Sequence, residues 1–143
     1  MRDDPRQVAE MVTGSQLPGG RQREAVTGFP SRRQVEEALL KLDGAEFTEL
    51  FLYRYPRSTD AETFLGISGG PGRYFVGISD HAQRIGQLTS TEGPSSHEGS
   101  VTIGGVPTSI PRRYLVGLPA ATIAATHYLD TGQAAPELDW DWR

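Results

Sequence analysis

The sequence predicts a single α+β domain in which an antiparallel sheet of about five to six strands packs against an N-terminal helix and a C-terminal helix. Two segments have apolar residues at helical spacing, and short segments rich in aromatic and β-branched residues lie between them. The connections are too short for crossover helices, which favours antiparallel pairing. Residues 29–143 are expected to form the domain, and residues 1–28 a loosely ordered N-terminal arm.

Both predicted helices have start or stop signals. Ser31 is a good N-cap residue with Gln34 three positions later, as in a capping box, and Gly44 ends this helical pattern. The second helix is predicted over Pro119–Thr131, and Gly132 follows it as a C-terminal glycine. This second helix is rich in alanine and apolar over most of its surface, so we expect it to be buried against the sheet.

A glycine-rich tetrapeptide separates two of the predicted strands. Gly69-Gly70-Pro71-Gly72 can supply the positive φ angles of a tight reversal, which predicts a β-hairpin. A phosphate-binding loop is disfavoured, because a strand follows the glycines and no Gly-Lys-Ser/Thr sequence is present. The predicted strands are Phe47–Tyr55, Thr63–Ser68, Tyr74–Ser79, Arg84–Leu88, Ser100–Ile103 and Tyr114–Val116.

Charge and composition restrict the partners. The net charge is −4, and the whole imbalance lies in residues 58–143, which argues weakly against a direct nucleic-acid ligand and is compatible with a basic protein partner. The absence of cysteine excludes disulfides and thiolate metal sites. No apolar run is long enough to span a bilayer, and the N-terminus lacks a signal-peptide core, so a cytoplasmic protein without membrane contact is expected.

The C-terminal run combines both tryptophans with acidic residues. Leu138, Trp140 and Trp142 alternate with Asp139 and Asp141. In an extended segment, this period of two places the apolar side chains on one face and the carboxylates on the other. The run is interpreted either as an edge strand that fixes Trp140 in the core, or as an acidic surface with an aromatic anchor for a basic partner.

No catalytic constellation is recognisable. The three histidines lack metal-ligand spacing, and no Gly-x-Ser-x-Gly motif occurs, so neither an enzyme nor a metal or cofactor site is expected. Two other hypotheses stay open. One is a small-anion-binding or regulatory module that uses the glycine hairpin with Arg73, Arg112 and Arg113. The other is a hydrolase that uses Ser68 or an Asp/His pair.

The order of these motifs resembles the first-numbered immunity-protein family of polymorphic toxin systems. The resemblance covers about residues 31–142. The family's glycine hairpin corresponds to Gly69, Gly70, Gly72, Arg73 and Tyr74. Its closing pattern corresponds to Tyr128, Thr131, Gly132, Pro136, Leu138 and Trp140.

The resemblance implies an immunity protein, or antitoxin, that protects the producing cell by occluding the active site of a cognate secreted toxin. Because the toxins encoded beside members of this immunity family are often deaminases, the resemblance also implies a nucleic-acid deaminase as the partner. We expect a monomer that forms a one-to-one complex without any cofactor. The expected partner-binding residues are the acids Glu137, Asp139 and Asp141, the aromatic anchors Trp142 and Tyr74, and Glu92 and Glu98 in the polar region 89–99.

Overall fold

The computed structural model describes residues 8–80, 84–90, 98–103 and 106–143. Within these residues the protein is mostly β, with an eight-stranded antiparallel sheet, a separate two-stranded sheet and two α-helices. The prediction of an α+β domain with five to six strands is therefore wrong. None of the helices in the described part of the chain is long and apolar enough to cross a membrane.

The large sheet has the strand order β10-β6-β5-β4-β3-β1-β2, and β9 pairs with β5 outside this path. Strands β7 and β8 form the small sheet, and a 3₁₀ turn at Arg112–Tyr114 precedes β9. The elements are β1 (Glu10–Gln16), β2 (Gln22–Gly28), α1 (Arg32–Lys41), β3 (Phe47–Tyr53), β4 (Phe64–Gly70), β5 (Arg73–Asp80), β6 (Arg84–Leu88), β7 (Glu98–Ile103), β8 (Val106–Pro111), β9 (Leu115–Val116), α2 (Leu118–Thr131) and β10 (Trp140–Trp142).

The N-terminal region accounts for two of the additional strands. Where a loosely ordered arm was expected, β1 and β2 form a hairpin, and β1 also pairs with β3. Met11 and Val12 of β1 are buried, whereas the side chains of β2 are almost all exposed. Because β2 has no buried face, its sequence lacks the alternation by which a strand is recognised. Residues 1–7 lie outside the described residues.

The two helices cover one face of the large sheet. The predicted capping box is confirmed: the Gln34 N–H donates to Ser31 Oγ (3.1 Å), and the Ser31 N–H donates to Gln34 Oε1 (2.9 Å). Helix α2 is buried as predicted, and its alanines bring it close to the sheet. It ends at Gly132, whose φ of 71° is the left-handed conformation expected after a helix.

The glycine hairpin is also confirmed. Strands β4 and β5 pair as far as Gly70 opposite Arg73, which leaves Pro71 and Gly72 as the turn. Gly72 has φ 78° and Gly69 has φ 108°, and a side chain on Gly69 would collide with the carbonyl oxygen of Arg73. The glycines therefore serve the reversal of the chain.

A second hydrophobic cluster lies on the opposite face of the sheet from the helices. Val101, Ile110 and Tyr114 form it, and Phe75 packs against it from β5. The sequence did not predict β8, because Pro107 and Pro111 are unfavourable in strands, yet both are tolerated in this two-stranded ribbon. The predicted strand Tyr114–Val116 is instead the 3₁₀ turn followed by the two-residue β9.

Candidate partner-binding surface

The C-terminal edge, residues 132–143, begins where α2 ends. The Gly132 N–H donates to the Tyr128 carbonyl at 2.7 Å and closes the helix. The chain then turns back and adds β10 to the side of β6, with Trp140 opposite Leu88 and Trp142 opposite Gly86. The last residues of the sequence thus form one edge of the large sheet.

Trp140 packs against the main core and is half-buried. Its indole Nε1–H donates to the carbonyl of Ala135, itself buried, at 3.0 Å. An indole buried on one side with its N–H satisfied is a structural anchor. The interpretation that an edge strand fixes Trp140 in the core is confirmed.

Trp142 lies beside Trp140, but 38% of its surface is exposed to solvent. Its ring packs over Gly86, where an added Cβ would lie 2.7 Å from Trp142 Cζ3. The guanidinium carbon of Arg84 lies 4.0 Å from the centroid of the indole ring, a close cation–π contact. Trp142 is therefore an exposed aromatic side chain held from several directions.

The acidic residues of this edge have different environments. Asp141 is half-buried, and its Oδ2 accepts a hydrogen bond from the Tyr114 hydroxyl at 2.6 Å. Arg113 Nη2 in turn donates to that hydroxyl at 2.9 Å. Glu137 and Asp139 are exposed. The structure thus leaves Glu137 and Asp139 accessible, while Asp141 is part of a hydrogen-bond network.

Tyr74 cannot act as an anchor on this surface. It lies on the helix-covered face of β5 with only 2% of its side chain exposed, and burial raises the pKa of its hydroxyl. The predicted role of Tyr74 as a partner-binding anchor required an exposed side chain, but the register of β5 directs this side chain into the core. Glu92 lies outside the described residues, and Glu98 is described only by its backbone in β7.

The residues of the alternative hypotheses are separated or buried. Ser68 is buried within β4, His127 lies on α2, and His81 and His97 lie outside the described residues. No group of three or more potential metal-ligating side chains occurs among residues 8–80, 84–90, 98–103 and 106–143.

Arg73 lines a cavity of about 210 Å³ beside the glycine hairpin, whereas Arg112 and Arg113 are not among its described lining residues. Asp43 also lines this cavity. Its carboxylate accepts hydrogen bonds from three backbone amides at 2.9–3.0 Å, and the first of these, from Ala45, is the main cause of its lowered pKa. A carboxylate in this position disfavours an anionic ligand.

Sequence reasoning missed an aromatic patch on the face of the sheet opposite the helices. Phe51, Tyr53 and Phe64 are half-buried, and their ring centroids lie 5.7–6.0 Å apart. Gly66 leaves room for the Phe51 ring to lie across β4. The alternation of leucine and aromatic residues in β3 was the signal for this patch, since leucines occupy the helix-facing positions. A groove of about 740 Å³ between the β1–β2 hairpin and α1 was also not predicted.

Comparison with protein families places the chain among the immunity proteins. The matching family model is described as immunity protein Imm1 and covers residues 23–142, so the chain belongs to the Imm1 family. The resemblance inferred from the motifs is thus confirmed, and the match extends into β2, earlier than the motifs indicated. No curated protein and no solved structure is significantly similar to the chain.

Proposed function

We propose that this protein is a non-catalytic antitoxin that binds a cognate toxin domain in a one-to-one complex and occludes its active site. Membership of the Imm1 immunity family carries this proposal. The toxin is proposed to be a nucleic-acid deaminase, as the family resemblance implies, and the complex is proposed to form in the cytoplasm.

The C-terminal edge is the proposed contact surface. It combines an exposed, firmly held indole at Trp142 with the exposed carboxylates of Glu137 and Asp139. Enzymes that act on nucleic acids need positive charge near the substrate phosphates, so a carboxylate-bearing inhibitor can compete for the same cleft. Large aromatic side chains often contribute most of the binding energy at protein interfaces. Asp141 adds a carboxylate to this surface, although its Oδ2 accepts a hydrogen bond from the Tyr114 hydroxyl.

The first experiment is co-expression with the product of the adjacent open reading frame, inactivated by mutation in its active site. The expected result is a stable one-to-one complex, together with protection of cells that express the active toxin. If neither a complex nor protection is observed with a folded protein, the antitoxin proposal is wrong for that pair.

The surface is tested by the double substitution Glu137→Lys/Asp139→Lys. Both side chains are exposed, so the fold is expected to persist, while affinity for the inactivated toxin falls by roughly tenfold or more, mainly through slower association. Glu46→Lys is the matched control, because Glu46 is an exposed acid in the loop between α1 and β3, away from β10. Equal loss in the control would indicate a general charge effect, and no loss in the double variant would exclude this edge.

A further inference from the structure

Strand β2 lies at the end of the large sheet and pairs with β1 alone among the described residues. We call the other side of Gln22–Gly28 the β2 edge. The register of β2 with β1 is continuous over these seven residues. They contain neither proline nor lysine, two residues that commonly protect an edge strand from further pairing. The β2 edge can therefore accept another strand.

The hydrogen bonds at both ends of the hairpin show which backbone groups of β2 point to this edge. The Leu17 N–H donates to the Arg21 carbonyl at 2.7 Å, and the Phe29 N–H donates to the Ala9 carbonyl at 2.8 Å. Residues 21 and 29 thus face β1, and the direction of the backbone groups alternates along an antiparallel strand. The outward-facing N–H and C=O groups are therefore those of Gln22, Glu24, Val26 and Gly28.

Apolar side chains are exposed on both faces of the sheet next to the β2 edge. Val26 is 51% exposed on one face, and consecutive residues of a strand point to opposite faces. On the other face, Ala25 lines the groove of about 740 Å³ together with Leu40 of α1, which is 66% exposed. Exposed apolar side chains beside a free strand favour a protein partner that covers them.

We propose that the β2 edge binds the β2 edge of a second copy of the chain, with a two-fold axis at Ala25. This inference is independent of the proposed antitoxin function. In this register, Gln22 lies opposite Gly28 of the second copy, and Glu24 lies opposite Val26 of the second copy. Each of the four outward-facing residues then exchanges both backbone hydrogen bonds with a residue of the other copy.

The neighbouring registers that also pair outward-facing residues are less favourable. A two-fold axis at Glu24 would place this carboxylate directly opposite its own copy, and like charges in that position are destabilising. An axis at Val26 would place Gln22 opposite Pro30, which has no N–H to donate. The sequence of β2 is therefore most complementary to itself about Ala25.

The side chains are compatible with this axis. On the helix-covered face, the two Ala25 methyl groups lie opposite each other and Arg23 lies opposite Thr27, so no like charges meet. On the other face, the two Glu24 side chains are diagonal neighbours, but each is already paired with Arg57, whose Nη1 lies 3.4 Å from Glu24 Oε1. Neither face therefore prevents the pairing.

Sedimentation velocity at several protein concentrations tests whether the chain dimerises. We expect a monomer–dimer equilibrium in the micromolar range, since seven paired residues per copy give a small interface. Val26→Pro removes an N–H that points to the β2 edge and leaves the hydrogen bonds to β1 intact. This variant should remain a folded monomer, by circular dichroism, at concentrations where the unmodified chain is mostly dimeric. Val26→Ala retains the N–H and is the matched control, which should still dimerise.

Single cysteines test the register, because the chain contains no cysteine of its own. Ala25→Cys places two thiols opposite each other at the axis, where the Cα atoms of such a non-hydrogen-bonded pair lie about 4.5 Å apart, within disulfide range. Thr27→Cys is the control, since its two copies would lie about 14 Å apart along the strands. Under mild oxidation, Ala25→Cys should form a linked dimer roughly tenfold faster than Thr27→Cys. This comparison decides the question if Val26→Pro fails to fold.

Three results would overturn the proposal. One is an unmodified chain that stays monomeric into the millimolar range. Another is equal cross-linking of the two cysteine variants with a dimer that persists in Val26→Pro, which would place the interface elsewhere. The third is a folded Val26→Pro protein that no longer binds the inactivated toxin, which would show that the edge receives a strand of the toxin. A monomeric Val26→Pro protein that still binds the toxin supports the proposal, because β10 lies at the opposite edge of the sheet.

Discussion

The two edges of the large sheet are held in different ways. At one edge, the seven residues of β2 pair with β1 through the backbone, and their side chains are nearly all exposed. At the other, β10 has only three residues, yet it contains both tryptophans, packs over Gly86 and joins the core through Trp140. The length of an edge strand therefore does not measure how firmly the strand is attached. Side-chain contacts hold the short edge, which is also the proposed contact surface.

The largest effect is expected from Trp140→Ala. Truncation removes the half-buried indole and its hydrogen bond to Ala135, and should lower the free energy of unfolding by about 3 kcal/mol. The matched substitution at the opposite edge is Val26→Ala, where a 51% exposed side chain should change stability by no more than about 0.5 kcal/mol. Urea denaturation followed by circular dichroism measures both. Similar losses of stability for the two variants would contradict the conclusion that side-chain contacts hold β10 but not β2.

A smaller effect is expected from Gly86→Ala. The added Cβ would lie 2.7 Å from the Trp142 ring and 2.8 Å from Ile78 Cγ2, so we expect a loss of about 2 kcal/mol and a displaced Trp142. Gly28→Ala in β2 is the control, since nothing lies within 4 Å of its added Cβ. Denaturation curves and tryptophan emission spectra distinguish the two variants. A Gly86→Ala protein with unchanged stability and emission would show that β10 is not fixed by this contact.

The smallest effect is expected from Asp43→Ala, which should lower the free energy of unfolding in a pH-dependent manner. Asp43 lies in the loop between α1 and β3, next to the end of β1. The Asp43 carboxylate accepts three backbone hydrogen bonds from the loop before β3. In the same loop, the Glu46 carbonyl accepts a hydrogen bond of 2.7 Å from the N–H of Gln16, the last residue of β1. The three bonds to its carboxylate lower the pKa of Asp43 in the folded state from its usual 3.8, so the ionised carboxylate stabilises the fold.

The stabilisation by Asp43 therefore depends on pH. The stability lost in Asp43→Ala should be fully present above the unfolded-state pKa and should diminish as the pH falls through the lower folded-state pKa. Denaturation at several pH values between about 7 and 3 measures the difference between the two proteins. A difference that stays constant to the acid end would show that the charge of Asp43 does not contribute.

Part of the fold could be predicted because its signals are local. The capping box at Ser31 depends on residues three positions apart, and Gly132 follows α2 because few other residues adopt its backbone conformation readily. The hairpin at Pro71 and Gly72 is likewise specified by a short run of glycines. Strand β2 of the N-terminal hairpin gave no such signal, because it is held by the backbone of β1 and not by a buried face.

The candidate site was partly predictable for the same reason. Alternation in β10 correctly indicated that Trp140 and Asp141 face opposite ways, since strand geometry fixes that relation. The burial of Tyr74 was not predictable from its neighbours, because it depends on which face of β5 the helices cover. The contact of Arg84 with Trp142 joins residues distant in the chain, and only strand pairing brings them together.

The start of α1, the end of α2, the glycine turn, the alternation of the C-terminal edge and the family of the protein could all be predicted from the sequence, because each depends on short-range geometry or on a motif order. The end of α1 was predicted at Gly44, whereas the helix ends at Lys41. Only the three-dimensional structure shows that the N-terminal segment joins the sheet, that Tyr74 is buried, and that Tyr128, Asp80 and Trp142 line one pocket. These outcomes depend on which strands become neighbours. Pairing between distant segments is selected by the total burial of the folded chain, and no single segment encodes that choice.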